Sequence, residues 1–303
     1  MRLTIGLALL ALALGASGVA TAQSKAKSNS SRAVPLATVE LVQASAAVER
    51  GRIVAPLAPG SELNNGDRIN TGARSRVILK FADGSTMQLG EQGSFFFDRM
   101  GVRGDGVFEA AIFVAEGTFR FTTGALEKFA GKREVSIAVN TVNVGVRGAD
   151  LWGKSTSQSQ IVCLVAGSVE VTPPNESPLT LSQPMSFYTL EGTVSRAVAT
   201  VLADQFRAWA AETEAQPGQG VASRGGKWKV TVASGKKFAE ALDVYNEMRK
   251  TGYAAEVAPE KLKDQRVYSV RLANFETKKD AETIAADLKR DAGLAKYQYK
   301  VGP

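Results

Sequence analysis

The chain has 303 residues and no histidine, and that absence excludes much chemistry. The commonest general base, the Ser-His-Asp arrangement and most zinc sites all need an imidazole. Carboxylate-pair chemistry stays open, yet no two acidic residues stand apart from ordinary solvated ones. Cysteine is nearly as scarce. Cys163 is the only one, so no intrachain disulfide can form. It sits in the apolar run Ile161-Val162-Cys163-Leu164-Val165 and reads as a core residue rather than a reactive thiol. No metal centre or cofactor is expected. Long apolar runs are missing too, apart from one at the start.

That first run sets the expected compartment. Arg2 is followed by the apolar stretch Leu3 to Leu14 and then by Ala20-Thr21-Ala22. Charge, apolar core and small residues in this order describe a secretory signal peptide over residues 1–22, with cleavage between Ala22 and Gln23. The competing reading is an uncleaved anchor, because Leu3 to Ala22 is about 20 residues, just enough to span a bilayer. The Ala- and Gly-rich composition and the small residues at its end favour cleavage. Cys163 lies far from this signal, so no lipid attachment follows it. No later stretch could span, so no integral membrane span is expected after cleavage. A periplasmic location follows. The net charge is +7. Outside the cytoplasm a basic protein meets anionic envelope polymers or lipid head groups, so no nucleic-acid partner is expected.

Residues 23–38, rich in Ser, Lys and Asn at their start, read as a disordered tether. Residues 39–194 read as an all-β sandwich or roll. Arg76 to Phe81 is a strand, Ala82-Asp83-Gly84-Ser85 a tight turn, and Thr86 to Leu89 the return strand. Asn65-Gly66-Asp67 marks another turn. Further strands are expected at Ala111 to Ala115, Thr118 to Thr122, Val135 to Val139, Gln160 to Val165 and Ser168 to Val171. Phe95-Phe96-Phe97 is either an exposed docking patch or a strand buried on both faces. In residues 195–215, Val198, Val201, Leu202, Phe206 and Trp209 recur at helical spacing and predict an amphipathic helix. Residues 216–226, rich in Gly, predict a flexible linker.

Residues 227–303 contain an internal repeat with an offset of 40: Trp228, Val230, Val232, Ala233, Ala241 and Met248 match Tyr268, Val270, Leu272, Ala273, Ala281 and Leu288. Each copy is a strand, a helix and another strand, giving an α+β domain of order βαββαβ. The first helix is expected to bury Phe238, Ala241, Leu242, Tyr245 and Met248, and the second Ala281, Ile284, Ala285 and Leu288. Thr277 to Asp280 has the form of a capping box. The remaining strands are expected at Tyr253 to Val257 and Tyr297 to Val301. Helices on one side leave the other sheet face free.

Two family resemblances emerge from these residues. Asn65 to Gly72, Ser75-Arg76-Val77 and Phe81 to Ser85, followed by Asn140-Thr141, Val144 to Gly148 and Leu164 to Val169, resemble the FecR domain in order and spacing; Ala149 stands where that family usually has Thr. Tyr268 to Phe275 with Ala281 and Leu288 resembles the SPOR domain, whose fold is like that of RNA-binding modules. Trp228-Lys229-Val230 fits its first half. Thr231, Ala233 and Gly235 replace that family's usual Gln, Gly and Phe, while Ser234 is kept. The SPOR resemblance implies binding to peptidoglycan, on glycan strands stripped of peptides that accumulate at division sites. The FecR resemblance implies an interaction module with an envelope protein partner.

Strand alternation places the candidate glycan-binding residues Lys229, Thr231, Ser234, Arg271, Gln298 and Lys300 on the free face, opposite Val230, Val232, Val270 and Leu272. A polar, basic face suits sugars, since hydroxyls and acetamido carbonyls need donors and acceptors. The plain alternative is a solvated polar surface. No aromatic pair marks the face for RNA. Asp83 and Asp67 read as turn residues rather than catalytic carboxylates. Gly145-Val146-Arg147-Gly148 lacks the lysine of a phosphate loop. There Gly145 and Gly148 are expected to permit close strand packing, and Arg147 to bond within the β domain or to touch a partner. Three functions compete: a non-enzymatic glycan-binding protein, a FecR-type signalling regulator without glycan binding, and a carboxylate-based glycan hydrolase. FecR regulators typically carry a cytosolic domain and a membrane helix where this chain shows only a signal peptide and tether.

Overall fold

The computed structural model describes residues 35–124, 132–262 and 265–303. The signal peptide and nearly all of the tether lie outside the described residues. The tether's last residues do not: Ala37 and Thr38 already pair with Phe81 and Lys80 in the first strand.

The β body contains β1 (Ala37–Gln43), β2 (Ala46–Arg50), β3 (Ile53–Pro56), β4 (Glu62–Leu63), β5 (Asp67–Thr71), β6 (Arg76–Phe81), β7 (Thr86–Leu89) and β8 (Ser94–Val102). It continues with β9 (Phe108–Thr122), β10 (Arg133–Val139), β11 (Val142–Ser155), β12 (Ser159–Thr172), β13 (Leu179–Leu181), β14 (Ser186–Glu191), β15 (Val194–Ser195) and β16 (Ala199–Thr200). Neighbours pair antiparallel except β9 and β10, which run parallel from Phe108 opposite Arg133 to Val114 opposite Val139. Alternation buries one face of each strand: Val77, Leu79 and Phe81 on β6, and Phe95 and Phe97 on β8. Phe81 packs against Phe97, Phe108 and Phe121 at centroid distances of 6.5, 6.3 and 5.9 Å. Phe96 faces the other way, under the Arg68 guanidinium at 5.2 Å, so the Phe triplet is neither wholly exposed nor buried on both faces. Gly117, at φ +106°, continues β9 where two strands were expected.

The turn between β6 and β7 is held by a buried carboxylate. Asp83 accepts from Ser85 N at 3.0 Å, from Ser85 Oγ at 2.6 Å and from Arg133 Nε at 2.7 Å. Both members of the Asp83–Arg133 ion pair are buried. Cys163 is fully buried, and burial pushes its thiol up to about 12.

The expected helix over 195–215 shrinks to α1 (Ala203–Ala211). The residues before it are extended, because β-branched Val194, Thr200 and their neighbours find partners along β14. Val198 and Leu202 are exposed, so the helical spacing there was coincidental. α1 lays Trp209 on Trp152, with ring centroids 4.8 Å apart.

The predicted linker is a structural element. β17 (Val221–Ser223) pairs with β1 on one side and meets Phe275 on the other. Val221 and Ala222 are buried. Gly220 (φ +92°) is glycine because a Cβ there would lie 2.4 Å from Ile284 Cδ1. Its glycine permits close approach to the second helix of the repeat; composition alone had suggested freedom.

The C-terminal repeat follows: β18 (Trp228–Gly235), α2 (Phe238–Lys250), β19 (Ala255–Leu262), β20 (Gln265–Phe275), α3 (Lys278–Arg290) and β21 (Lys300–Gly302). α3 starts with the capping box of Thr277 and Asp280 and buries Ala281, Ile284, Ala285 and Leu288. α2 buries Ala241 and Met248, but Phe238 and Leu242 are exposed, a correction to the expected face. The last strand begins at Lys300 rather than Tyr297. β19 runs on past Val257 through Pro259, which is tolerated at a sheet edge where its missing N–H costs no ladder bond. Among the described residues no helix is long and apolar enough to cross a membrane. Among the described residues, mostly β structure with three helices, closed by a βαββαβ unit, is the architecture expected from the sequence.

Candidate functional site

In the C-terminal sheet β18 lies between β21 and β20, and β19 forms the edge beyond β20. α2 and α3 cover one face, where Val230, Val232, Val270 and Leu272 are buried with the helix residues. Residues directly opposite in a ladder share a face. Thr231 lies opposite both Lys300 and Arg271, and Arg271 lies opposite Glu256. Lys300, Thr231, Arg271 and Glu256 therefore form one row across four strands on the helix-free face. With strands about 4.8 Å apart, the row spans about 14 Å.

Arg271 is not free. Its Nε donates to Glu256 Oε1 at 2.6 Å, and a terminal nitrogen donates to Glu260 Oε1 at 3.2 Å. Glu260 accepts a further bond from Ser269 Oγ at 2.9 Å, and Ser269 Oγ lies 2.8 Å from Ser234 Oγ. Ser269 is buried beneath these groups, while Ser234 is exposed. The network joins Ser234 to Arg271 through acceptors on the edge strand. Lys229 is half-buried and Lys300 exposed, and neither has an ion pair among the described residues. Gln298 is exposed but lies before β21, outside the ladder. The face is thus polar, as its alternation predicts, but its charge is mixed.

Sequence reasoning missed Glu256 and Glu260. It ended the strand at Val257, before Pro259, and so never carried the alternation on to Glu260. An edge strand admits proline, and period two then puts Glu256, Ala258 and Glu260 on Arg271's side.

On the β body, Val144 and Val146 point into the core while Gly145 and Arg147 face outward. The expected close packing at the glycines is absent: a Cβ on Gly145 would come no nearer than 3.9 Å to Glu170, and one on Gly148 would meet nothing within 4 Å. The ladder with β12 instead slips between Val146 and Gly148, a bulge that leaves Arg147 outside it. Arg147 makes no hydrogen bond or ion pair among the described residues, which corrects its expected bond within the β domain. It borders a cleft of about 510 Å³ shared with Arg99, Glu109, Glu134, Ser136 and Glu170.

No curated protein matches the chain. Two crystal structures of a protein from Parabacteroides distasonis ATCC 8503, provisionally described as an anti-sigma factor, are similar at 16% identity. They cover 75% of this chain and 92% and 91% of their own, with TM-scores of 0.38 and 0.37, a likeness too low to carry an argument. The family model described as FecR protein matches residues 67–170, and the one described as SPOR domain matches residues 225–300. Both families are binding and signalling modules of the cell envelope, the SPOR kind being peptidoglycan-binding. The chain therefore carries a FecR domain in its β body and a SPOR domain at its C-terminal end, which associates it with binding or signalling at the envelope.

Proposed function

We propose that this is an exported, non-enzymatic protein of the periplasm that grips peptidoglycan glycan strands through its SPOR domain and a further envelope partner through its FecR domain. The row Lys300, Thr231, Arg271 and Glu256 on the helix-free face carries the reading. A saccharide presents hydroxyls, which both donate and accept, and acetamido carbonyls, which accept. The row offers lysine and guanidinium donors beside carboxylate acceptors, so both kinds of sugar group find a complement. Lys229 and Ser234 extend it, and Gln298 lies just beyond its end, before β21. Strands stripped of peptides, as at division sites, leave the sugars open to such a face. The FecR domain would meet its partner at the cleft that Arg147 borders.

The test is co-sedimentation of the full exported chain with isolated sacculi. Arg271→Ala is expected to weaken binding about tenfold, equivalent to about 1.4 kcal/mol. The thermal midpoint should move little, because a partly exposed ion pair contributes about 1 kcal/mol or less. A variant that binds as well as the parent removes the face from consideration. A parent that does not sediment favours the alternative, an envelope signalling regulator without glycan binding, and Thr231 in place of glutamine would then be its leading cause. Intact-mass measurement on envelope protein tests cleavage after Ala22.

A further inference from the structure

We propose that the helix-free SPOR face is electrically polarised, and that Glu256 and Glu260 determine its specificity by admitting acidic saccharides in one orientation and rejecting polyanions. The inference rests on the glycan-binding reading and adds the ligand's charge pattern to it.

The polarity follows from the ladder. Lys229 on β18 and Lys300 on β21 carry the cationic side, with no ion pair among the described residues. Glu256 and Glu260 on β19 carry the acidic side. Arg271 lies between them, its charge met by both carboxylates. From Lys300 to Glu256 is three strand spacings, about 14 Å. The Debye length at physiological salt is about 8 Å, so the lysines and the carboxylates act as two separate local fields rather than as one averaged charge.

Each field selects a different part of a ligand. A carboxylate on a sugar is drawn to Lys229 and Lys300. Hydroxyls on the ligand's other edge can donate to the free lone pairs of Glu256 and Glu260, which are acceptors only. A polymer with anionic groups on all sides cannot satisfy both halves, since it must bring like charge against the β19 carboxylates. Such juxtaposition is how interfaces reject wrong partners. The glutamates also hold Arg271 against β19 and meet its charge, so the guanidinium is not free to reach for an anion.

The experiment uses the full exported chain and three probes: peptide-stripped glycan strands with free carboxylates, a neutral N-acetylglucosamine oligomer, and heparin as a polyanion. Two double variants are compared with the parent by calorimetry or surface binding at physiological salt, where the two fields are separately screened: Lys229→Gln with Lys300→Gln, and Glu256→Gln with Glu260→Gln. The lysine pair should lose about tenfold on the acidic strands and little on the neutral oligomer. The glutamate pair should lose severalfold on the neutral oligomer and gain at least tenfold on heparin, because Arg271 is released. Glu256→Gln alone, at a half-exposed position, repeats the heparin measurement should the double variant lower the thermal midpoint. A parent that binds no saccharide overturns the glycan reading and this inference with it. A parent that binds saccharide, while the glutamate variants gain no heparin affinity or the lysine pair loses equally on both saccharides, overturns the polarity alone.

Discussion

Asp280 is the residue whose removal should cost the fold most for its size. Its side chain is buried at the N-terminus of α3. One oxygen accepts from Gly220 N at 3.0 Å and Val221 N at 2.8 Å. The other accepts from Thr277 N at 3.2 Å and from the Thr277 hydroxyl. Asp280→Ala leaves three backbone N–H groups without their acceptor. An orphaned buried donor costs about 1–3 kcal/mol, and partial access of water to the turn holds the total near 3–6 kcal/mol. For a chain of this size a kcal/mol moves the thermal midpoint by roughly 2–4 °C, so a fall of about 6 to 24 °C is expected. Asp280→Asn keeps the acceptor for Gly220 and Val221 but turns an amide donor toward Thr277 N, and should cost only about 1–2 kcal/mol. Urea unfolding gives the free energies, and hydrogen exchange at residues 220–223 reports the local loosening. A loss under about 1 kcal/mol for the alanine variant would show that the bonds to β17 do not hold the segment, and the reasoning would fail.

Three further outcomes are expected. A fragment beginning at Lys227 has the complete repeat but lacks β17, so it should melt several degrees below one beginning at Gln216; equal midpoints would mean that β17 adds nothing to the domain. Asp83→Ala removes the buried acceptor of Ser85 N, Ser85 Oγ and Arg133 Nε and should cost about 3–5 kcal/mol by chemical denaturation, a figure that a loss below about 1 kcal/mol would contradict. Burial pushes the Tyr253 phenol from 10 up to about 12. Its folded value lies above the unfolded one, so its contribution is whole below pH 10 and is lost as pH rises from 10 to 12, by about 2.7 kcal/mol at most. Tyr253→Phe should flatten the fall of midpoint with pH over that window, and unchanged slopes would exclude the tyrosine as the cause.

Much of the architecture was legible because local signals agreed with burial. Arg76 to Phe81 and Thr86 to Leu89 alternate cleanly, Asp83-Gly84 can only turn, and both strands stand where read. Thr277 and Asp280 announced the start of α3 by side-chain chemistry that needs no tertiary contact. The misreadings share a cause, which is that a short window cannot see its distant partner. Val198, Val201 and Leu202 have helical spacing, but the extended chain before α1 pairs with β14, and only that partner decides between helix and strand. Phe238 and Leu242 were assigned to the buried face by period alone, whereas the core closes around Ala241 and Met248 one step round the helix. On the candidate site, alternation placed Thr231 and Arg271 correctly in the ladder, but Arg271 could not be known as a neutralised cation, because Glu256 and Glu260 reach it from another strand.

The Gly-rich segment shows why composition misleads most where two bodies meet. Glycine frees a chain in solvent, but it also lets backbone approach backbone. Residues 216–226 use the second property. Gln216 N donates to Gln43 Oε1 at 2.7 Å, Gly218 O accepts from the Thr283 hydroxyl at 2.8 Å, and Glu276 N donates to Val221 O at 3.1 Å. β1 would otherwise show an open edge beside β6, a template for unwanted pairing. β17 covers that edge and carries the ladder on to β20, so hydrogen bonds run unbroken from the FecR core strands to the strand that holds Arg271. The Arg74–Asp287 ion pair adds a second tie from the β body to α3. A ligand held on the SPOR face, as proposed, would therefore set the orientation of the FecR domain as well as its location. A flexible linker would have supplied location alone, and the substitution that best separates the two is the one at Asp280, which loosens the tie without touching either surface.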